Sequence, residues 1–246
     1  SSRVDSVNFT VTTTPGLISY FGVVPTIFNT TVGTDVTVNV TAYDANNNIV
    51  TSDNSTQVNF SSNGTGVTLT PQNAILAAGL TSFTFSDTVA ENINLTATSN
   101  SDPTKTGTSG LVTVNEGAAD SLFEVSGDGS VAAGSDRLLS VRVTDRYENV
   151  VSGETIRFII RGGGGSIGAT LDSVDVVSDG SGIADTTLTT GSAVGLNEVT
   201  ALIVSSRVDS VNFTVNTFSG AVSYYTFVPD SDSTIVAGDS LQFTVT

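Results

Sequence analysis

The chain contains no cysteine, histidine, methionine or tryptophan, and lysine appears once, at Lys105. Without His or Cys there is no Ser-His-Asp or Cys-His nucleophile system, no imidazole or thiolate metal site and no disulfide framework. A lysine base, a Schiff base and a Lys-containing isopeptide cross-link all hang on Lys105, in the polar loop Asp102-Pro-Thr-Lys105. Carboxylate chemistry and oxygen-ligand cation binding are what the composition leaves open. Basic residues are scarce too: 8 Lys+Arg face 24 Asp+Glu, a net charge of −16, although only 13% of residues are charged. That acidity repels polyanions at long range and disfavours DNA, RNA and anionic lipid as partners. No apolar run is long enough to span a bilayer, which argues against direct membrane insertion. No basic-then-apolar leader opens the sequence, which starts on Ser and reads as a mature or excised segment.

What is present is a repeat. Residues 1–11 read SSRVDSVNFTV, and so do residues 205–215, at an offset of 204. Beyond the identity the copies stay parallel, with Ser19-Tyr20 against Ser223-Tyr224, and Val24-Pro25 against Val228-Pro229. A weaker repeat lies inside this unit: Asp44-Ala-Asn-Asn-Asn48-Ile-Val50 aligns with Asp145-Arg-Tyr-Glu-Asn149-Val-Val151 at an offset of 101, both fitting D-x-x-x-N-x-V. Upstream segments recur three times, as Val32-Gly-Thr-Asp35, Val131-Ala-Ala-Gly-Ser-Asp136 and Val236-Ala-Gly-Asp239. A period near 100 residues is too long for a solenoid and suits separate modules in tandem, and 246 residues suit two domains of about 100–120 residues.

Thr and Val lead the composition, which favours strands. Apolar residues alternate with polar ones at period two: Val36/Val38/Val40, Phe83/Phe85, Ile93/Leu95/Ala97, Leu139/Val141/Val143, Val199/Ala201/Ile203, Val211/Phe213/Val215 and Leu241/Phe243/Val245. Turn-rich spacers such as Ser62-Asn-Gly64, Gly162–Gly165 and Asp179-Gly-Ser-Gly182 separate the runs. No stretch has helical periodicity. Roughly seven short strands per 100 residues predict an all-β chain of tandem Ig-like sandwiches in a linear array. The expected division is 1–16 as the last strand of a preceding module, 17–115 and 116–218 as complete modules, and 219–246 as the first strands of a following one. The chain is thus framed out of phase with its domains.

Val141-Arg-Val-Thr-Asp145-Arg-Tyr-Glu-Asn149-Val-Val151, Ile156-Arg-Phe158, Gly162–Gly165, Asp179-Gly-Ser-Gly182-Ile-Ala184 and Asn197-Glu-Val-Thr-Ala201 resemble the bacterial Ig-like repeats of the invasin/intimin type. That family usually writes the first turn as D-x-x-G-N-P-V; here Glu148 and Val150 replace its Gly and Pro. The resemblance covers most of 116–218, and 17–115 carries fewer of the signature positions. It implies extracellular, cell-surface, non-catalytic arrays that extend a functional tip or form the fibre itself.

The remaining motifs favour ordinary surface roles. Asp44-x-Asn46-x-Asn48 mimics the start of an EF-hand loop, but Ile49 stands where the turn glycine belongs and Ser55 where the bidentate Glu belongs. A polar turn joining two strands is the better reading. A looser calcium site using Asp102, Glu116 or Asp120 suits the acidity without specific spacing. Gly162–Gly165 lacks the Lys-Ser/Thr of a phosphate loop and reads as a flexible hairpin loop. The carboxylate pairs Asp172/Asp175 and Asp230/Asp232 lack an aromatic sugar platform and read as solvated surface. Eight N-x-S/T sequons occur, about what composition alone gives, with Asn39, Asn54 and Asn63 among them; Asn39 points outward by the alternation. The expected function is therefore a structural stalk or fibre of a secreted adhesin, with neighbouring repeats or copies of itself as partners and any host ligand held by a tip domain. A filament or surface-layer subunit assembling by strand complementation, and a glycan- or protein-binding module, are the alternatives.

Overall fold

The computed structural model describes residues 8–168, 172–206 and 209–220, together with the backbone of two short strands at Phe227–Pro229 and Phe243–Val245. The third upstream copy at Val236–Asp239, the pair Asp230/Asp232, Ser223-Tyr224, Leu241 and the first seven residues of the N-terminal repeat lie outside the described residues. Every regular element among the described residues is a strand.

In the first sandwich, β1 (Tyr20–Pro25), β3 (Val36–Tyr43), β7 (Leu80–Asp87) and β5 (Val67–Thr70) form one sheet in the order β1-β3-β7-β5. The opposing strands are β10 (Thr106–Thr108), β9 (Leu95–Ser99), β4 (Gln57–Ser62) and β6 (Asn73–Ile75), in that order, with β2 (Asn29–Thr31), β11 (Val112–Asn115) and β8 (Asn92–Ile93) beside them. The first strand changes sheets part-way: β1 pairs antiparallel with β3, whereas β2 pairs parallel with β11. The second sandwich repeats the scheme, with β12 (Ala119–Ser126), β14 (Asp136–Asp145), β18 (Ile183–Thr189) and β16 (Ser166–Ile167) in one sheet. Its other sheet runs β13 (Gly129–Ala132), β20 (Ser210–Phe218), β19 (Gly195–Ile203), β15 (Thr155–Gly162) and β17 (Ser173–Val177), again with β13 parallel to β20. Beyond it, β21 (Phe227–Pro229) pairs antiparallel with β22 (Phe243–Val245).

The alternation is realised residue by residue. Val36, Val38 and Val40 are buried while Thr37 and Asn39 face solvent, and Leu139, Val141 and Val143 repeat this in β14. Phe60 and Phe83 stack across the two sheets of the first sandwich at 4.2 Å. In the second, Phe158 and Phe213 flank β19 with ring centroids 6.2 Å apart. The sequence that forms β20 places Phe213 and Val215 in this core. Its identical copy at the N-terminus has no regular structure over residues 8–16, and Phe9 and Val11 are 87% and 84% exposed.

One expectation fails. Gly162–Gly165 is not a hairpin loop, because β15 and the following β16 belong to different sheets. Gly163 and Gly164 take left-handed φ values of 96° and 67°, and a Cβ on Gly163 or Gly165 would run into Asn197 or the Thr189 carbonyl. The glycines serve close backbone approach where the chain crosses between layers.

The chain divides into two compact units. The first comprises Ser1–Ser121 with Val143–Ser152 and Gly180–Gly182; the second comprises Leu122–Arg142, Gly153–Asp179 and Ile183–Thr246. The turn Val143–Ser152, although it closes β14, therefore belongs to the first unit.

Core and surface should separate sharply by mutation. Phe158 is fully buried, and Phe158→Ala is expected to cost about 3–5 kcal/mol. Neighbouring Arg157 makes a bidentate ion pair with Asp175, with both side chains about two-fifths exposed at 40% and 43%; Arg157→Ala is expected to leave the unfolding midpoint nearly unchanged, because solvent screens an exposed pair. Urea denaturation of both variants checks the contrast.

Candidate functional site

The most elaborate polar geometry lies at the two D-x-x-x-N turns. Asp44 and Asp145 end the core-facing runs of β3 and β14 and are only 2% and 1% exposed, rare for aspartate. In the first turn, Asp44 Oδ1 accepts from the Asn46 and Asn48 backbone N–H groups, at 2.9 Å each, and from Asn48 Nδ2. Its Oδ2 accepts from Asn48 Nδ2 and, at 2.9 Å, from the Gly16 N–H. Asp145 repeats this atom for atom: Oδ1 takes the N–H groups of Tyr147 and Asn149 and the amide of Asn149, and Oδ2 takes that amide and the Gly117 N–H at 2.8 Å. Asn47 and Glu148 hold the same left-handed position, with φ of 64° and 69°. Glu148 thus occupies the conformation for which the invasin/intimin-type repeats that the sequence resembles use glycine.

The donors explain the titration of both groups. The Gly16 N–H and the Asn48 amide pull Asp44 down to about 2 from its ordinary 3.8. Burial alone would raise Asp145, but the bonds from Gly117, Asn149 and Tyr147 outweigh it and lower its pKa. Asp87, buried at the end of β7, is the opposite case. One oxygen takes the Val89 N–H and the other has no partner among the described residues. Burial, with Glu91 nearby, raises its pKa.

The second turn carries a further layer of contacts within the first unit. Asn149 Oδ1 accepts from the Ala90 N–H and its Nδ2 donates to the Thr88 carbonyl, both at 2.9 Å. The Tyr147 ring lies on Gly33, whose φ is +74° and where any Cβ would collide with it. Thr31 and Val32 close one wall of a groove otherwise formed by Gly117–Asp120 and Asp145–Tyr147.

Of the sequence-predicted calcium candidates, Asp120 lines this groove, and Asp102 and Glu116 do not. Asp102 caps its own loop through Thr104, Glu116 accepts from Ser152 Oγ, and Asp120 accepts from Ser121 Oγ. Among the described residues no group of three or more metal-ligating side chains comes together. Asp175 is committed to Arg157 and is not free to partner Asp172. Asn39 stands exposed at the middle of β3, whereas the exposed Asn54 and Asn63 accept from the Ala78 and Asn94 N–H groups and brace loops. The buried aspartates were missed as sites because D-x-x-x-N reads as a solvated turn. The signal that reveals them is the recurrence, 101 residues apart, of both partners at once: Gly16 with Asp44 and Gly117 with Asp145.

Among solved structures, the chain matches FdeC, an Escherichia coli adhesin, with a TM-score of 0.64 and 21% identity over 95% of this chain and 76% of that one. The fold is that of bacterial Ig-like adhesin modules. Looser matches are invasin, a bacterial integrin-binding protein (TM-score 0.43, 17% identity, 92% of this chain and 46% of that one), and domains 4 and 5 of the S-layer protein SbsC (TM-score 0.39, 16% identity, 83% and 100%). No family model and no curated protein matches the sequence.

The lowered pKa values fix the sign of the acid response. Asp44 and Asp145 contribute stability that is complete above 3.8 and lost as pH falls through their folded values, to about 2 for Asp44. Asp87 works against them, because its neutral form is favoured in the fold and its contribution grows as pH falls towards 3.8. Asp145→Asn sets an amide donor against the donors of Gly117 and Asn149 and is expected to cost about 2–4 kcal/mol at pH 7. In urea melts at several pH values the penalty should shrink below pH 3.8, where the unfolded chain's aspartate takes up its proton before the folded one does; a pH-independent penalty would contradict the role given to the charge.

Proposed function

We propose that this chain is a non-catalytic structural segment of a secreted tandem-repeat surface protein, serving as stalk or fibre of an adhesin. The observation that carries the reading is the recurrence of the β20 sequence, unchanged over eleven residues, at the N-terminus. In the second sandwich that sequence is the last strand, hydrogen-bonded to β19 over eight residue pairs and donating Phe213 and Val215 to the core. Residues 1–16 are then the last strand of a preceding module, 17–115 and 116–218 are complete modules, and 219–246 begin another. The fold shared with an Escherichia coli adhesin supports a place on a cell surface, and any host ligand is held elsewhere in the longer protein. A charge of −16 per chain keeps neighbouring copies soluble.

Assembly is the second reading, favoured by the exposure of Phe9 and Val11. In it, residues 1–11 of one copy take the place of β20 in another. The two readings part in solution. A stalk segment is expected to elute as a monodisperse monomer. Pulled by its ends in a force microscope, it should show two comparable unfolding events, each freeing about 35 nm of extended chain from roughly 100 residues at about 3.5 Å apiece. Heat- and denaturant-resistant polymers from the purified chain would support assembly instead.

A further inference from the structure

The groove walled by Gly117–Asp120 and Asp145–Tyr147 has a second copy in the same chain. Gly16–Ser19 and Asp44–Asn46, each 101 residues earlier, line a corresponding groove. The two differ in what covers them. The later groove is closed by Thr31 and Val32, and Asn149 beside it spends its remaining amide valences on Thr88 and Ala90. In the earlier groove nothing among the described residues stands in the place of Thr31 and Val32; its one further lining residue is Lys105. Leu17 on its rim is 92% exposed, Asn46 and Asn48 face solvent where Tyr147 and Asn149 are half-buried, and Asn48 Oδ1 accepts no hydrogen bond among the described residues.

The covering element is duplicated as well, and its second copy is bare. Gly33 and Gly134, 101 residues apart, share left-handed φ values of 74° and 78°. Their N–H groups both donate to the carbonyl where the next loop begins, Asp87 for one and Gly191 for the other. Tyr147 lies on Gly33, whereas nothing among the described residues comes within 4 Å of a Cβ placed on Gly134. Ala132-Ala133 stand where Thr31-Val32 stand, and Ser192–Val194, all exposed, stand where Thr88–Ala90 stand. The chain therefore presents an uncovered groove on its first sandwich and an uncovered matching element on its second.

We infer that these are the two halves of one head-to-tail contact, in which the groove of Gly16–Ser19 and Asp44–Asn48 receives the 132–134 and 191–194 loops of another copy of the second sandwich, the one whose last strand is residues 1–11. Asn48 makes to the 191–194 backbone the pair of bonds that Asn149 makes to Thr88 and Ala90. Such a contact joins unlike surfaces and does not close on itself, so it propagates along an array. The inference rests on the tandem reading and goes beyond it by naming the surface and its occupant.

The test is a chain lengthened by placing residues 116–204 directly before Ser1, so that residues 1–11 follow them as 205–215 do. Hydrogen exchange is compared between the lengthened and original chains. The amides of Ile18, Ser19 and Ala45–Asn48 are expected to exchange about tenfold more slowly in the lengthened chain. Asn48→Ala in the groove, and separately Ala133→Glu in the added copy, should each remove that slowing; Asn48→Ala in the original chain reports any damage to its own turn. Equal exchange in the two chains, with the added copy folded and Phe9–Val11 protected as its last strand, overturns the docking and leaves the tandem reading intact. Failure of Phe9–Val11 to gain protection overturns the tandem reading and the docking with it.

Discussion

A buried carboxylate that gathers backbone N–H groups from two separated stretches of chain organises each sandwich. Asp44 and Asp145 each accept from their own turn and from a glycine 28 residues earlier, so one side chain fixes both the turn after the second strand and the point at which the chain enters the sandwich. A carboxylate suits this task because it only accepts, and every group around it donates. Charge-assisted bonds of this kind offset the desolvation of the ion, and the lowered pKa values are the visible trace of that balance. An amide or hydroxyl of similar size would meet at least one donor with a donor. The same carboxylate orients the asparagine four residues on, holding its Nδ2 and leaving the rest of the amide turned outward.

Around these hubs the sandwiches are polar with little charge. On the outer face of β9 and β10, hydroxyls pair across the strands, Thr96 with Thr108 at 3.3 Å and Thr98 with Thr106 at 3.1 Å. Thr serves twice, since its branched Cβ suits the pleat and its hydroxyl keeps the face wet. The result is a surface that exposes edge strands without a broad apolar face. The ion pair of Arg157 and Asp175 on β15 and β17 is peripheral to this scheme.

The core was legible because burial imposes period two. Val36, Val38 and Val40 could be assigned to one face before any pairing was known, since a strand covered on one side has no other solution. Which strand pairs with which was not legible. The switch of the first strand between sheets at Pro25–Asn29 depends on β11, more than 80 residues away, and nothing local records it. The same limit misplaced Gly162–Gly165: a glycine cluster between strands looks alike whether the chain turns back in one sheet or crosses to the other. The aspartate turns were legible as repeated sequence but not as buried hubs, because burial of a charged side chain shows only when its donors are found. Acidity pointed to calcium through Asp102, Glu116 and Asp120; in the fold Asp102 accepts from Thr104, Glu116 from Ser152 and Asp120 from Ser121.

Composition also constrains how copies of such a chain can touch. With 24 acidic residues against 8 basic ones, most carboxylates can find no cationic partner on another copy, and like-charge repulsion opposes every approach. On the tandem reading proposed above, a contact that recurs along the array avoids this repulsion where it is made mainly from neutral groups. The one that forms around Asn149 meets this demand: an amide bonded to a carbonyl and an N–H, an aromatic ring laid on a glycine, and a valine against the groove. Of its charged members, Asp145 is turned inward and already satisfied, and Asp120 and Arg146 line the groove with opposite signs. Bonds of this type depend little on ionic strength. The scarcity of Lys and Arg and the burial of the two aspartates therefore belong to one solution, in which net charge holds strangers apart while neutral, geometrically exacting contacts join what the chain holds close.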